Sequence, residues 1–346
     1  EWRERTGRGE DERSPDIGTR VEAGPSVGPD PAVVLREILL DPVTARLPDA
    51  RVLYLVPDDC LYLVPFDALP DGDGVVGDRL RIRVSSSVCP LVGEGEIGSG
   101  LVVVGDVDYD APGPDTGTPV DTSESFESLD ETGDEALAIE RMFESTFERP
   151  VIALTREAAA KGALARAVVG ARFIHLATHG WFSFGPSGGR SLEYCVREDS
   201  DAERFESAQA TVVGLLPESL CGLALAGANH GPDGILTAEE LATFDLSRCE
   251  LAVLSACETN VGVRRAGQGI QSLQSALLAA GARTAITSLW KVGDAATRRL
   301  FELFYAKLWM DGLGKADALW QAKMALRSEG YPIRDWAAWV LTGAPD

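Results

Sequence analysis

FIHLATHG (residues 173–180) and LAVLSACET (251–259) are two apolar runs, each ending in a polar tip that carries reactive side chains. Both are short, both are bounded by turn formers, and both read as strands covered on two faces, as in a parallel sheet. LVVVGD (101–106) has the same form. Around these runs helical and strand signals alternate. DEALAIERMF (134–143) is amphipathic at helical spacing, and VIAL (151–154) is a short strand. Thr155 is placed to cap a helix through REAAAKGALARAVV (156–169). Downstream, LCGLALAG (220–227) is strand-like, and Thr237-Ala238-Glu239-Glu240 is a capping box. GIQSLQSALLAA (269–280) predicts a helix with Ile270, Leu273 and Leu277 on one face. RTAITSLW (283–290) predicts a strand, and the helix after Asp294 sets Leu300, Phe304 and Leu308 four apart. WAAWVLTG (336–343) closes the chain, and Trp309, Trp320, Trp336 and Trp339 are expected in the core. Upstream, AVVLREILL (32–40) is helical, and RVLYLV (51–56) with CLYLVPF (60–66) reads as a strand pair around Pro57-Asp58-Asp59. Strands alternating with helices of this length mean βαβ units, an α/β fold with a mostly parallel sheet covered on both faces.

Composition narrows the function classes. The chain has 346 residues, 45% apolar and 25% charged, enough for a sizeable core. Its 32 Lys and Arg stand against 54 Asp and Glu, a formal charge of −22. A phosphate-backbone binder needs a basic face, so direct nucleic-acid contact is disfavoured, as is docking on anionic lipid. No run of about 18 apolar residues spans a membrane. Six Cys (60, 89, 195, 221, 249 and 257) at irregular spacing read as reduced, intracellular thiols, and the location expected is cytoplasmic. Glu1 stands where Met would open a chain, so an upstream region is expected. Residues 1–31, rich in charge, Gly and Pro, read as a disordered lead or linker. Residues 32–100 form an N-terminal part with a helix and hairpin, and 101–346 form the core. Within that core, 183–220 is a polar insertion loop. Residues 106–134 hold Asp and Glu but no Lys or Arg, a solvated acidic loop.

In open α/β sheets, ligands bind at the carboxyl ends of the strands, near a switch in strand order. That rule selects Thr178-His179-Gly180 and Ala256-Cys257-Glu258. If the two strands are neighbours, their tips lie about 5 Å apart, and His179 and Cys257 face each other over one crevice. A thiol beside an imidazole is a nucleophilic pair: the thiolate attacks a carbonyl carbon and the imidazolium protonates the leaving amine. The N–H groups of Gly180 and Cys257 are the expected oxyanion donors. The plainer reading is that a Cys at a strand end is a small buried hydrophobe and a His a hydrogen-bonded core residue. His175 fits that reading, and period two sets it on the same face as His179. His230 is a loop residue with no evident partner.

These motifs resemble the paired signatures of CHAT domains, caspase-like cysteine peptidases often attached to TPR repeats. LYLVPFDAL (61–69), LVVVGDVDY (101–109), DGILTAEELATFDLSRCELAVLSACET (233–259), AGARTAITSLWKVGDAAT (280–297) and WAAWVLTG (336–343) match in the same order, over about residues 32–343. The resemblance implies a caspase-like three-layer αβα fold with a central sheet of about six strands. It implies His179 as general base and acid, Cys257 as nucleophile, and Gly180 and Cys257 amides as the oxyanion hole. Ser288-Leu289-Trp290 corresponds to the strand along which related peptidases pair substrate backbone. Loops after the first and fifth core strands build the pocket for the residue before the cut. Here they offer Asp106, Asp108 and Asp294, with Glu258 beside the nucleophile, and acidic groups there select Lys or Arg. An Asp after a strand is also an ordinary turn or cap residue.

The implied activity is a cysteine endopeptidase with a specific protein substrate and no cofactor, in bacterial defence or cell-death signalling. An activating partner or an attached TPR or sensor region would regulate it. The alternatives are a silent caspase-like interaction scaffold, or an amidase or acyltransferase acting on small molecules. Asn260 stands where the family commonly has Gly, and no TPR-like repeat is present. Other motifs fail. GQGIQS (267–272) follows no strand and lacks the last Gly of a dinucleotide fingerprint. Asp106, Asp108 and Asp110 begin like a calcium loop, but Ala111 and Gly117 occupy positions that need Gly and Glu. No metal site is expected: His175 and His179 lack matching acidic or thiol ligands for zinc.

Overall fold

The computed structural model describes residues 29–85, 95–112, 125–182, 221–256, 263–265, 269–271 and 273–344. Residues 1–28, the stretch 183–220, Cys257 and Glu258 lie outside the described residues. The Asp30 carboxylate accepts from the Ala32 N–H, and Pro31, at the first helical position, opens α1 (Pro31–Leu39). Strands β1 (Val52–Leu55), β2 (Pro70–Asp71), β3 (Gly74–Val75), β4 (Arg81–Val84) and β5 (Leu101–Val107) follow. Next come α2 (Asp130–Thr146), β6 (Val151–Arg156), α3 (Lys161–Ala167), β7 (Phe173–Ala177) and β8 (Gly180–Phe182). The chain continues through β9 (Cys221–Ala224), β10 (Ile235–Thr237), β11 (Leu251–Ser255), β12 (Val263–Arg265) and β13 (Gly269–Gln271). It closes with α4 (Leu273–Ala279), β14 (Thr284–Ser288), α5 (Asp294–Tyr305), α6 (Lys315–Ser328) and β15 (Trp339–Gly343).

One eight-stranded sheet, in the order β1-β4-β15-β14-β11-β7-β5-β6, organises these elements. Five strands from β6 to β14 run parallel. β15 pairs antiparallel with β14, and β4 and β1 run parallel to β15. The continuous apolar runs are explained by two cores. Leu101, Val103, Phe173, Leu251, Val253 and Ile286 face a layer built on α2, α5 and α6. Val102, Val104, Ile174, Leu176, Ala252 and Leu254 face the other layer, with Leu164, Leu273 and Leu277. Period-two alternation thus buries both sets, and the fold is the expected three-layer α/β arrangement.

Several local expectations are corrected. The sheet has eight strands rather than about six, because β1 and β4 of the N-terminal part extend it past β15. The strand pair expected over 51–66 is not a hairpin. Its second half coils into a 3-10 turn (Asp59–Leu63), held by Val64 N–H to Leu61 carbonyl at 3.1 Å, and β1 pairs with β4 instead. Parallel pairing with a later strand leaves residues 59–63 to satisfy their own backbone. Thr155 is inside β6 and caps nothing: Arg156 enters the left-handed region (φ 53°), and the helix begins only at Lys161. Ile270 belongs to β13, antiparallel to β12, and α4 starts at Leu273. The Thr237–Glu240 capping box is present, but on a helix of only four residues (Ala238–Leu241).

Candidate active site

The strand order turns around at β5. β6 lies on one side of it and β7, next in the chain, on the other, so the switch point lies between the carboxyl ends of β5 and β7. β7 and β11 are neighbours, as anticipated, with Ala177 opposite Ser255. His179 stands two residues beyond Ala177. Cys257 stands two beyond Ser255, outside the described residues. Backbone at the approach to Cys257 is held by Ser288, whose Oγ donates to the Ala256 carbonyl at 2.7 Å.

His179 is half-buried at the sheet edge. Its ring lies 5.1 Å from Tyr109 and 5.6 Å from Phe126, centroid to centroid. Its Nε2 is 2.8 Å from the Glu127 carbonyl oxygen. A carbonyl only accepts, so Nε2 carries the hydrogen and Nδ1 of the neutral ring keeps the lone pair. Thr178 and Tyr109 brace the backbone: Tyr109 Oη lies 3.0 Å from Thr178 Oγ1, which donates to the Ala224 carbonyl. The strand therefore ends in a bend, and period two breaks. His175 points to the α2 and α5 side, whereas Tyr109 and Phe126, which flank His179, belong to the opposite core. The shared face expected for the two histidines is corrected accordingly.

Gly180 opens β8. The Ala224 N–H donates to the His179 carbonyl at 3.0 Å, so in this antiparallel ladder Gly180 and Leu223 form the alternate, non-hydrogen-bonded pair. The Gly180 N–H is thereby directed away from β9. β8 is the edge of the three-stranded sheet β10-β9-β8.

Burial, and next the Lys291 charge, hold the His179 imidazole below its ordinary value, against the Glu127 carbonyl bond and the charges of Asp294 and Glu127. The depressed value means that the folded chain binds this proton less well than the unfolded chain. His179 therefore leaves stability intact above about pH 6.5 and erodes it as pH falls from there toward the folded value. In a Cys257→Ala background, its NMR titration is expected below that of a free imidazole. Lys291→Ala should move it upward and Asp294→Asn further down. A titration unmoved by either variant would show that these charges do not reach the ring.

The acidic residues are placed as follows. Asp106 is the bulge residue of β5, between Gly105 and Val107, in the left-handed region (φ 46°), and its N–H donates to Thr132 Oγ1 at 3.1 Å. Gly105 before it permits this approach: a Cβ there would lie 2.3 Å from the Thr132 carbonyl oxygen. Arg156 bridges the pair, with Nη1 3.3 Å from Asp106 and Nη2 3.5 Å from Asp108. Asp294, exposed at the start of α5, acts on His179. The side chains of Ser288 and Trp290 are turned inward, each 1% exposed, and Trp290 Nε1 donates to the Arg334 carbonyl at 2.8 Å. His230 Nε2 is 2.9 Å from the Asp110 carbonyl, a partner that the sequence did not disclose. Sequence reasoning selected Thr178 with the strand tip but missed Tyr109, Phe126, Glu127 and Asn229. Only Tyr109, inside the LVVVGDVDY run, carried any signal. Among the described residues no group of three His, Cys, Asp or Glu side chains is arranged to hold a metal ion, and no helix is long and apolar enough to cross a membrane.

A family model described as "CHAT domain" matches residues 29–344. Tetratricopeptide repeat protein 28 of Mus musculus is 34% identical over 113 residues, and that of Homo sapiens 32% over 113. The match covers 32% of this chain and spans 4% of the length of each relative. Similar solved structures include the Arg-specific cysteine proteinase gingipain R, at a TM-score of 0.49 and 11% identity over 84% of this chain and 59% of that one. Another is the Saccharomyces cerevisiae separase–securin complex, at 0.47 and 12% over 84% and 16%.

Proposed function

Because the chain belongs to the CHAT domain family, we propose that it is a cysteine endopeptidase hydrolysing peptide bonds of a specific protein substrate. The observation that supports this reading is the register of β7 on β11, in which Ala177, two residues before His179, stands opposite Ser255, two residues before Cys257. His179 Nδ1 takes the Cys257 proton, and the thiolate attacks the substrate carbonyl carbon. The N–H groups of Gly180 and Cys257 bind the developing oxyanion. The imidazolium then protonates the leaving amine as the C–N bond breaks. Water, deprotonated by His179, cleaves the resulting thioester and restores the thiol. Everything needed is carried by side chains and backbone amides, and no cofactor enters these steps.

The carboxylates of Asp106, Asp108 and Asp294 at the carboxyl edge, with Glu258, favour Lys or Arg before the cut. Ser288 supports this site from inside by holding the Ala256 carbonyl. Arg156 already occupies Asp106 and Asp108, so a basic substrate side chain competes with it. Exposed ion pairs of this kind are worth about 0.2–1 kcal/mol. Arg156→Ala should raise kcat/KM for Lys and Arg substrates by about 1.5- to 5-fold and leave neutral ones unchanged. Equal changes for both would remove Asp106 and Asp108 from the specificity pocket. An activating partner or a sensor region, of the TPR kind that the relatives' names contain, would set when the enzyme works. Cytoplasmic action in bacterial defence or cell death is the setting this reading favours.

The deciding experiment is digestion of a diverse peptide library, read by mass spectrometry. Cuts by the wild-type chain that cluster after Lys or Arg are expected. A library left whole with and without candidate activators, together with an inert Cys257, would favour the interaction scaffold.

A further inference from the structure

We propose that Asn229 is a positioning residue for the His179 base, acting by clamping the two irregular segments that hold the imidazole. The role of His179 as base rests on the peptidase reading, whereas the clamp rests on geometry alone.

Asn229 is half-buried in the turn after β9, and both polar atoms of its side chain are engaged. Oδ1 accepts from the Phe126 N–H at 2.8 Å, and Nδ2 donates to the Phe126 carbonyl at 3.1 Å. The same Nδ2 donates to Asp110 Oδ1 at 2.9 Å, and the Asn229 N–H donates to the Tyr109 carbonyl at 3.0 Å. A single residue therefore ties the turn after β5 to the stretch leading into α2.

Residues 125–129 form no helix or strand. Among the described residues, Phe126 has Asn229 as the partner of both its backbone N–H and its C=O. The next carbonyl along, that of Glu127, accepts from His179 Nε2. The two rings against the imidazole are Phe126 and Tyr109. The hydrogen bond that sets the tautomer and both ring contacts thus rest on backbone that Asn229 holds.

The residue type follows from chemistry. The clamp needs an acceptor for one N–H and donors for a carbonyl and a carboxylate on one short side chain, which an amide supplies. Asp would lose both donors and set a carboxylate against Asp110. His230, by bonding the Asp110 carbonyl, steadies the same turn without touching the 125–129 stretch.

The test is nitrogen NMR of the imidazoles in the whole chain, wild type against Asn229→Ala, in the Cys257→Ala background, together with steady-state kinetics on the Cys257 enzyme. The chain has three histidines, so the signals can be assigned by single substitution. Wild type should show His179 as one tautomer with the hydrogen on Nε2, and Asn229→Ala should show a mixture. Loss of ring placement should lower kcat by about 10- to 100-fold with KM within about twofold, because the substrate-facing acids are untouched. His230→Ala should leave the tautomer as in wild type. If Asn229→Ala does not fold, Asn229→Gln keeps both polar groups but shifts them by one methylene, and should show the same tautomer loss to a smaller degree. A single unchanged tautomer in the variant, with kcat within twofold, would overturn the proposal. The NMR arm needs no turnover: a chain that cleaves nothing but loses the tautomer on substitution would keep the clamp and refute the peptidase.

Discussion

Cys257→Ala is expected to abolish peptide cleavage, a fall of more than about 10⁴-fold in kcat, with the thermal unfolding midpoint unchanged. His179→Ala should give a loss of similar order, and the double variant should be little worse than either, since nucleophile and base act as a unit. Alkylation provides a second readout that needs no substrate. Cys249 is fully buried and its thiol is pushed up to about 12, mainly by that burial, and Cys221 is buried as well. Neither should react in the folded chain. A thiolate paired with His179 should make Cys257 react far faster than these two, and His179→Ala should remove the advantage. If Cys257 reacts no faster than a buried thiol and its removal leaves cleavage intact, the nucleophile is not Cys257.

Glu135→Ala is expected to cost about 1–3 kcal/mol of folding stability, the usual cost of leaving a buried polar group without its partner. His175 is fully buried inside β7, with Nε2 2.8 Å from Glu135 Oε1 and Nδ1 3.1 Å from Tyr305 Oη. Burial first, and then Glu135, raises the Tyr305 phenol well above its ordinary value, so its O–H stays protonated and donates to Nδ1. Nε2–H is then left to donate to Glu135. This chain of bonds pins β7 to both α2 and α5, and removing the carboxyl leaves a buried ring N–H with nothing to meet. Glu135→Gln retains an acceptor and should recover most of the loss. Urea unfolding of the three proteins checks both statements. A change under 1 kcal/mol in the Ala variant would mean that water or rearrangement replaces the bond.

The elements behind these two results are unequally legible in the sequence. The parallel strands β5, β7 and β11 are plain in it, because a strand buried on two faces is apolar at most positions. LVVVGDV, FIHLA and LAVLS are such runs. That the two strands be neighbours was legible as a condition, and the register of Ala177 on Ser255 met it. Residues 60–66 misled because apolar, β-favouring side chains suit a 3-10 turn equally well once β4 has taken the edge of β1. Thr155 misled because the side chain that caps helices also suits a strand, and the left-handed Arg156 delayed the helix.

By itself, then, the sequence determined the α/β layering and the family, and it singled out the two strand ends that carry His179 and Cys257. Those properties follow from local pattern: periodicity, turn formers, and residue types adjacent in the chain. Tertiary structure alone decided what surrounds His179. Glu127, Tyr109 and Phe126 reach His179 from segments far from it in the chain, Asn229 holds two of them from a third segment, and the pairing of Arg156 with Asp106 spans 50 positions. Likewise, only packing shows that Ser288 and Trp290 face inward to hold backbone carbonyls. An Asn in a loop or an Asp after a strand has the same local signature whether it ties distant segments together or faces water. What separates the two cases is which distant backbone group lies within about 3 Å, and the folded chain sets that distance.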